Sequence, residues 1–373
     1  MRTQLGLQCK SGAVITLPMT GPVLRMGLKE GGAQVNGPTK TNLLDVARKA
    51  GVSQTTVSRY FNEPKKIREE TRKRISQAIA DLDFVPSMTA RTLAMSRSHT
   101  IGAIVPTFDH ALFARELNDM ADQLFKAGYA LIIASDQYEP GQETDLVRTM
   151  IARNVDGLLL VGLEREPGIY DLLDRRGVPY VTTWTIDLEV SRPQVGADKF
   201  AAAHAIADHL LDLGHQRFAL IEFPVANNDR ARTRLRGFRT AIEARGLSLP
   251  NEVVFEEPPT YEAGGRILRS ILESSVPPTA LLCGTDVFAI GALLEAKRLG
   301  LNLPAEISIS GFDNLPIASL LDPPLTTIDL AVRETGQLAA RYLLSKIEGA
   351  DPPGISVPRH ELILGGSTGR PRR

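Results

Sequence analysis

The chain has 373 residues, 43% of them apolar and 23% charged, and its 43 Lys/Arg balance 43 Asp/Glu. That length suits two or three domains with a core large enough to need no disulfide or metal staple. The two cysteines, Cys9 and Cys283, form neither a metal spacing nor a disulfide framework, which fits a reducing cytosol. The longest apolar runs, such as Val155–Gly162, are strand-sized, so no membrane span is expected.

The balanced charge hides an asymmetry. Residues 40–99 carry 12 Lys/Arg against 6 Asp/Glu, residues 1–39 carry 4 against 1, and the remainder carries 27 against 36. A basic front ahead of an acidic body points to a polyanionic partner. A merely solvated basic face explains the charge equally well. Residues 1–39 are rich in Gly and Pro, show no period, and lack the layout of a signal peptide. They read as a disordered extension, with Met26 as a candidate native start.

The next segment carries helix punctuation. Asn42 is an N-cap with Asp45 at the third helical position, and Leu43, Val46 and Ala47 follow at helical spacing. Gly51 closes that helix in a tight turn, and Ser53 opens a second over Gln54–Phe61. A third helix, Glu69–Leu82, places Ile75, Ala78, Ile79 and Leu82 over Val46, Val52, Val57 and Phe61. Helix, glycine turn, helix is a helix-turn-helix. Its second helix would put Gln54, Thr55, Thr56 and Arg59 at base edges, where Gln matches adenine and Arg guanine. Ser58 and Asn62 are phosphate-contact types. A protein-binding three-helix bundle is the competing reading.

The run Leu44-Asp45-Val46-Ala47-Arg48-Lys49-Ala50-Gly51-Val52-Ser53-Gln54-Thr55-Thr56-Val57-Ser58-Arg59, continuing to Phe84-Val85-Pro86 and Ala90-Arg91-Thr92-Leu93-Ala94, resembles the signature of the LacI-type (lactose-repressor/GalR) transcriptional regulators. The resemblance extends from residue 41 to about 366. It implies a DNA-binding domain over 40–86 and a hinge helix within 87–98. There Leu93, beside Ala90 and Ala94, would wedge into the minor groove. Ser87 and Arg68 depart mildly from the usual residues of the family.

From Thr100 onward, strand-sized apolar runs (Ile101–Val105, Ala130–Ala134, Gly157–Val161, Tyr180–Thr182, Phe218–Ile221, Ala280–Cys283, Ile307–Ile309) alternate with amphipathic helical stretches. The helical stretches include Leu112–Ala127, Phe200–Leu213, Arg234–Arg245, Ala263–Leu272 and Val287–Leu299. Such alternation predicts an α/β body of doubly wound parallel sheets. Two successive sets suggest two subdomains, with a ligand cleft outside the C-terminal strand ends. The resemblance implies the same periplasmic-binding-protein-like fold, divided as 99–195 plus 328–350 and 196–327 plus 351–366. It marks Arg234, Asp313, Phe113 and Thr285 as effector-binding positions. Trp184, the single tryptophan, follows a strand at the crossover, where its face could stack on a sugar ring or simply fill core. Pro259 stands where the family often has a stacking aromatic.

Gly365-Gly366-Ser367-Thr368-Gly369 fits a nucleophile-elbow pattern, but the chain ends four residues later, with no helix to follow it. There is no P-loop, dinucleotide motif, metal spacing or triad, so neither enzyme activity nor a cofactor is expected. The expected protein is a cytoplasmic, homodimeric, operator-binding regulator, most simply a repressor, controlled by a small sugar or sugar-acid effector. A solute-binding protein and an enzyme on a doubly wound fold are the alternatives.

Overall fold

The computed structural model describes residues 41–63, 66–85, 97–139, 141–166 and 168–372. The expected N-terminal extension and hinge helix, with Ala90, Leu93 and Ala94, lie outside the described residues. Two compact units divide at Pro86 and Ser87.

The first unit is three helices, α1 (Leu43–Ala50), α2 (Gln54–Asn62) and α3 (Glu69–Asp81). Asn42 Oδ1 accepts the Leu44 and Asp45 amides at 2.8 and 3.2 Å, and Asp45 returns a carboxylate oxygen to the Asn42 amide at 3.0 Å. This reciprocal pair satisfies donors that a helix start leaves open. Gly51, at φ +63°, ends α1 in the left-handed conformation that glycine adopts without penalty. Ser53 caps α2 through the Thr56 amide. Arg68 makes no side-chain cap on α3, and Glu69 and Glu70 in the first turn supply the favourable charge there instead. Val46, Ala47, Ala50, Val57, Ile75 and Ala78 are buried together, with Val52, Phe61, Ile79 and Leu82 half-buried against them. Phe84 closes this core beside Phe61.

The second unit opens with β1 (Thr100–Val105), α4 (Ala111–Lys126), β2 (Ala130–Ser135), α5 (Gln142–Ala152), β3 (Gly157–Val161), α6 (Ile169–Arg176), β4 (Tyr180–Thr183) and β5 (Gln194–Val195). It continues through α7 (Lys199–Asp212), β6 (Phe218–Glu222), α8 (Asp229–Ala244), β7 (Val254–Glu256), α9 (Tyr261–Leu272), β8 (Ala280–Cys283), α10 (Asp286–Arg298) and β9 (Ser308–Ser310). The last elements are β10 (Thr327–Asp329), α11 (Val332–Ile347), β11 (Ile355–Ser356) and β12 (Glu361–Ile363). Strands β1, β3, β6 and β8 are buried along their whole length, as central parallel strands covered on both faces must be.

Two parallel sheets result, with strand orders β11-β5-β4-β3-β1-β2 and β7-β6-β8-β9. The order reverses at β1/β3 in one sheet and at β6/β8 in the other. Ligands of open α/β sheets gather beyond the strand C-termini at such reversals. An antiparallel pair, β10–β12, accompanies them. The chain crosses between sheets after β5, and α11 returns to pack along α4 of the first subdomain.

One boundary expectation is corrected. Residues 351–366 do not all join the second subdomain, because Ile355–Ser356 pair with Gln194–Val195. The edge of β5 offers unpaired backbone groups, and the Gln194 and Gly196 amides donate to Gly354 and Ser356 carbonyls at 2.7 and 3.1 Å. Only afterwards does β12 join β10. Ser367 is fully buried, accepting the Thr326 amide at 2.9 Å and donating to the Ile309 carbonyl at 2.6 Å, so it pins the tail rather than acting as a nucleophile.

Helix α11 approaches α4 closely at Gly336, where an added Cβ would lie 2.2 Å from the Glu116 carbonyl oxygen. Neither backbone can yield cheaply. Gly336→Ala is expected to lower stability by roughly 1–3 kcal/mol through overpacking, measured by chemical denaturation. Unchanged stability would mean that the two helices slide apart freely.

Candidate DNA interface and ligand cleft

Helix α2 presents Gln54, Thr55 and Arg59 to solvent. Arg59 lies 3.9 Å from Glu63, an exposed pair worth little, so its guanidinium is available to another acceptor. Thr56 differs from its neighbours. It is half-buried and its hydroxyl is 2.8 Å from that of Ser53, so it belongs to the cap of α2. Ser58 is half-buried, and the side chain of Asn62 lies outside the described residues.

In the second unit, the residues following several strand ends converge on one cavity. It is lined by His110 and Phe113 after β1, Tyr138 after β2, Trp184 after β4, and Lys199 at the start of α7. The second subdomain adds Phe223, Asn228, Arg230, Arg234 and Asp313. Of the sequence-derived candidates, Phe113, Trp184, Arg234 and Asp313 are brought together here. Thr285 is not on the lining. It is fully buried as the N-cap of α10, with its hydroxyl accepting the Val287 amide at 3.4 Å. As a helix cap next to Asp313, it braces the wall behind the cavity.

Sequence reasoning missed Lys199, His110, Tyr138, Asn228, Arg230 and the carboxylates behind them. The Arg234 guanidinium forms a fork with the fully buried Glu222, Nε to Oε2 at 3.1 Å and Nη2 to Oε1 at 2.5 Å. Burial works against the charge of Arg234, but the Glu222 carboxylate outweighs it and the pKa is raised. Arg230 pairs with Asp229 at 3.1 Å. The Lys199 ammonium sits 4.7 Å from the Trp184 ring centroid and 5.7 Å from that of Phe312. Burial and the nearby Arg234 push its pKa down. Burial pushes Asp313 up, against the pull of Lys199. His110 Nε2 is 3.7 Å from Asp313, yet burial, with Lys199, Arg234 and Arg230, holds its pKa at about 4. The imidazole is therefore neutral at neutral pH.

Beneath the aromatic floor lies Glu116, fully buried on α4, which accepts a hydrogen bond from Trp184 Nε1 at 2.5 Å. Its other oxygen, Oε1, has no close hydrogen-bond partner among the described residues, and the buried Thr183 hydroxyl beside the carboxyl favours its ionised form. Trp184 itself is buried, stacks edge-on against Phe113 with centroids 4.9 Å apart, and holds the left-handed φ of +75°. Burial raises the Glu116 pKa to about 7. Because the folded pKa lies above the unfolded one, the stability this group contributes is full below about pH 4.5 and is lost as pH rises to about 7.

Residues 42–87 match the model of the bacterial regulatory proteins of the lacI family, and residues 207–368 match that of the periplasmic binding protein-like domain. The chain is similar to the HTH-type transcriptional repressor CytR of Escherichia coli K12, 32% identical over 332 residues covering 88% of this chain and 97% of that one. It is similar to the repressor PurR of Klebsiella pneumoniae strain 342, 31% identical over 322 residues covering 86% and 94%. Among solved structures, the transcription regulator GntR from Chromobacterium violaceum matches with a TM-score of 0.69 and 29% identity, over 72% of this chain and 98% of that one.

Glu116→Gln keeps an acceptor for the indole and removes the ionisation. The variant is expected to gain on the order of 2–3 kcal/mol over the parent at pH 8 and almost nothing at pH 4.5, from paired denaturation curves. A difference that does not change with pH would contradict the buried neutral carboxyl.

Proposed function

The chain belongs to the LacI family of transcription regulators, and from that premise we propose that it is a repressor that binds a near-palindromic operator as a homodimer, under the control of a small sugar-like or sugar-acid effector held in the cleft. The observation that carries the DNA half is α2, whose exposed N-terminal face offers Gln54 and Thr55, with the exposed Arg59 one turn on. A recognition helix meets base edges with these residue types at that end. Ser58 and Asn62 are assigned to the phosphate backbone, and Ala90, Leu93 and Ala94 to the minor groove. The relatives are transcriptional repressors and not enzymes. Among the described residues no helix is long and apolar enough to cross a membrane.

Two observations support the remaining parts. Strand β2 is a sheet edge on which Ile132 and Ile133 are 39% and 42% exposed, an apolar edge that a second copy would cover. The cavity draws its walls from both subdomains, so a ligand that prefers one relative orientation of the two shifts the population toward it. DNA affinity then changes by the coupling free energy.

The test is a gel-shift titration against near-palindromic sequences from upstream of the gene, at several salt concentrations, with and without a panel of sugars and sugar acids. Sequence-preferring binding that weakens with salt and moves with one compound is expected. Binding without sequence preference would remove the repressor reading. Arg59→Ala and Gln54→Ala are each expected to cost about 1–3 kcal/mol of specific affinity while leaving non-specific binding nearly unchanged.

A further inference from the structure

Upstream of β1, residues 97–100 are held more firmly than the start of a strand requires. Asp156, the residue before β3, takes three hydrogen bonds from them. The Ser98 amide and hydroxyl donate to Oδ1 at 2.8 and 3.1 Å, and the His99 amide donates to Oδ2 at 2.8 Å. The Asp156 amide in turn donates to the Thr100 carbonyl at 2.7 Å. Hydrogen bonds to a carboxylate are roughly twice as strong as neutral ones. The exposed Arg97 adds a second post, with Nη2 donating to the Ile347 carbonyl at 2.6 Å. Ile347 ends α11, where helical carbonyls lack partners and a cation is favoured. Between the two posts, His99 holds a left-handed φ of +52°, with its ring 5.0 Å from that of Tyr129. A side chain persists in that region only where its surroundings over-determine it.

Both posts belong to the first subdomain. Asp156 adjoins β3, which pairs with β1 inside the six-stranded sheet, and α11 packs along α4. The ladder of β1 begins only at Thr100, so the clamp carries the fixed part of the chain beyond the sheet, toward the residues that lead to the head. We propose that Asp156 is a positioning residue for operator binding, which holds in place the point from which each copy of a dimer delivers its head to DNA. This rests on the homodimeric operator reading. In this role Asp156 acts through Ser98 and His99 rather than by touching DNA. Every residue it immobilises is immobilised in both copies before binding. Loosening the clamp adds conformational entropy that is lost again when two heads dock on one site. It also lowers the effective concentration of the second head once the first is bound. A single half-site takes one head and is subject to neither effect. The plainer role, satisfying the amide of the buried Ser98, predicts lower stability and nothing particular to two-headed binding.

The experiment is a fluorescence-anisotropy titration of the full chain with two duplexes: a near-palindromic sequence from upstream of the gene, and the same sequence scrambled in one half. Asp156→Asn keeps the size of the side chain but turns one acceptor oxygen into an NH2 donor, so one backbone link is lost. It is expected to weaken full-site binding about tenfold and to leave half-site binding unchanged. Arg97→Met, a surface change that removes the second post, is expected to act in the same direction by about threefold. Equal loss on both duplexes, or no loss on either, would overturn the positioning role and leave Asp156 a stabiliser of the sheet edge. Should Asp156→Asn fail to fold, Arg97→Met decides the matter, and an unchanged ratio of full-site to half-site affinity overturns the proposal. A parent chain that binds the two duplexes equally would overturn the dimeric operator reading and the anchor with it, a result seen before any substitution is made.

Discussion

The charge pattern of the cleft depends on the buried fork between Arg234 and Glu222. Glu222 is the last residue of β6 and Arg234 lies on the second turn of α8, so the pair locks a helix to the strand end it must cover. Removing one partner of such a pair leaves the other charge stranded in low dielectric, at a cost of about 3–5 kcal/mol. The arginine is therefore a structural member of the wall as well as a candidate ligand contact. Because Glu222 neutralises it, the cavity's charge is decided by groups that have no such partner.

Those groups come from separate places in the chain. His110 follows β1, Lys199 opens α7, and Asp313 follows β9, so no spacing in the sequence joins them. The topology does so: parallel sheets put all their strand C-termini at one end, and the crossover after β5 brings two such ends to one cavity. The aromatic floor then separates the ligand space from Glu116, whose pKa burial raises to about 7.

The head was legible because its signals are local. Asn42, Asp45, Gly51 and Ser53 act within four residues of themselves, and cap chemistry reads the same in sequence and structure. The alternation of strand and helix was legible for a related reason, since buried parallel strands are continuous apolar runs. Short edge pieces such as β5 and β11 were not, because two residues carry no periodicity and the pairing is non-local. In the cleft, Phe113, Arg234 and Asp313 were reached through family resemblance and Trp184 through its place after a strand at the crossover, while Thr285, marked alongside them, caps α10 behind the lining. Lys199 was invisible, since a lysine at a helix start reads as a solvated charge until its burial is known.

The position of Trp184 has an optical consequence. It is the only indole in the chain, with a cation over its ring and a carboxyl at its N–H, both inside a low-dielectric interior. The energy gap of an indole responds to the field across it, and in such a medium the field of one charge at 5 Å is weakly screened. Any event that neutralises the ammonium or ionises the carboxyl changes the colour of the emitted light. The protein therefore carries its own internal voltmeter, placed between a buried lysine and a buried carboxyl.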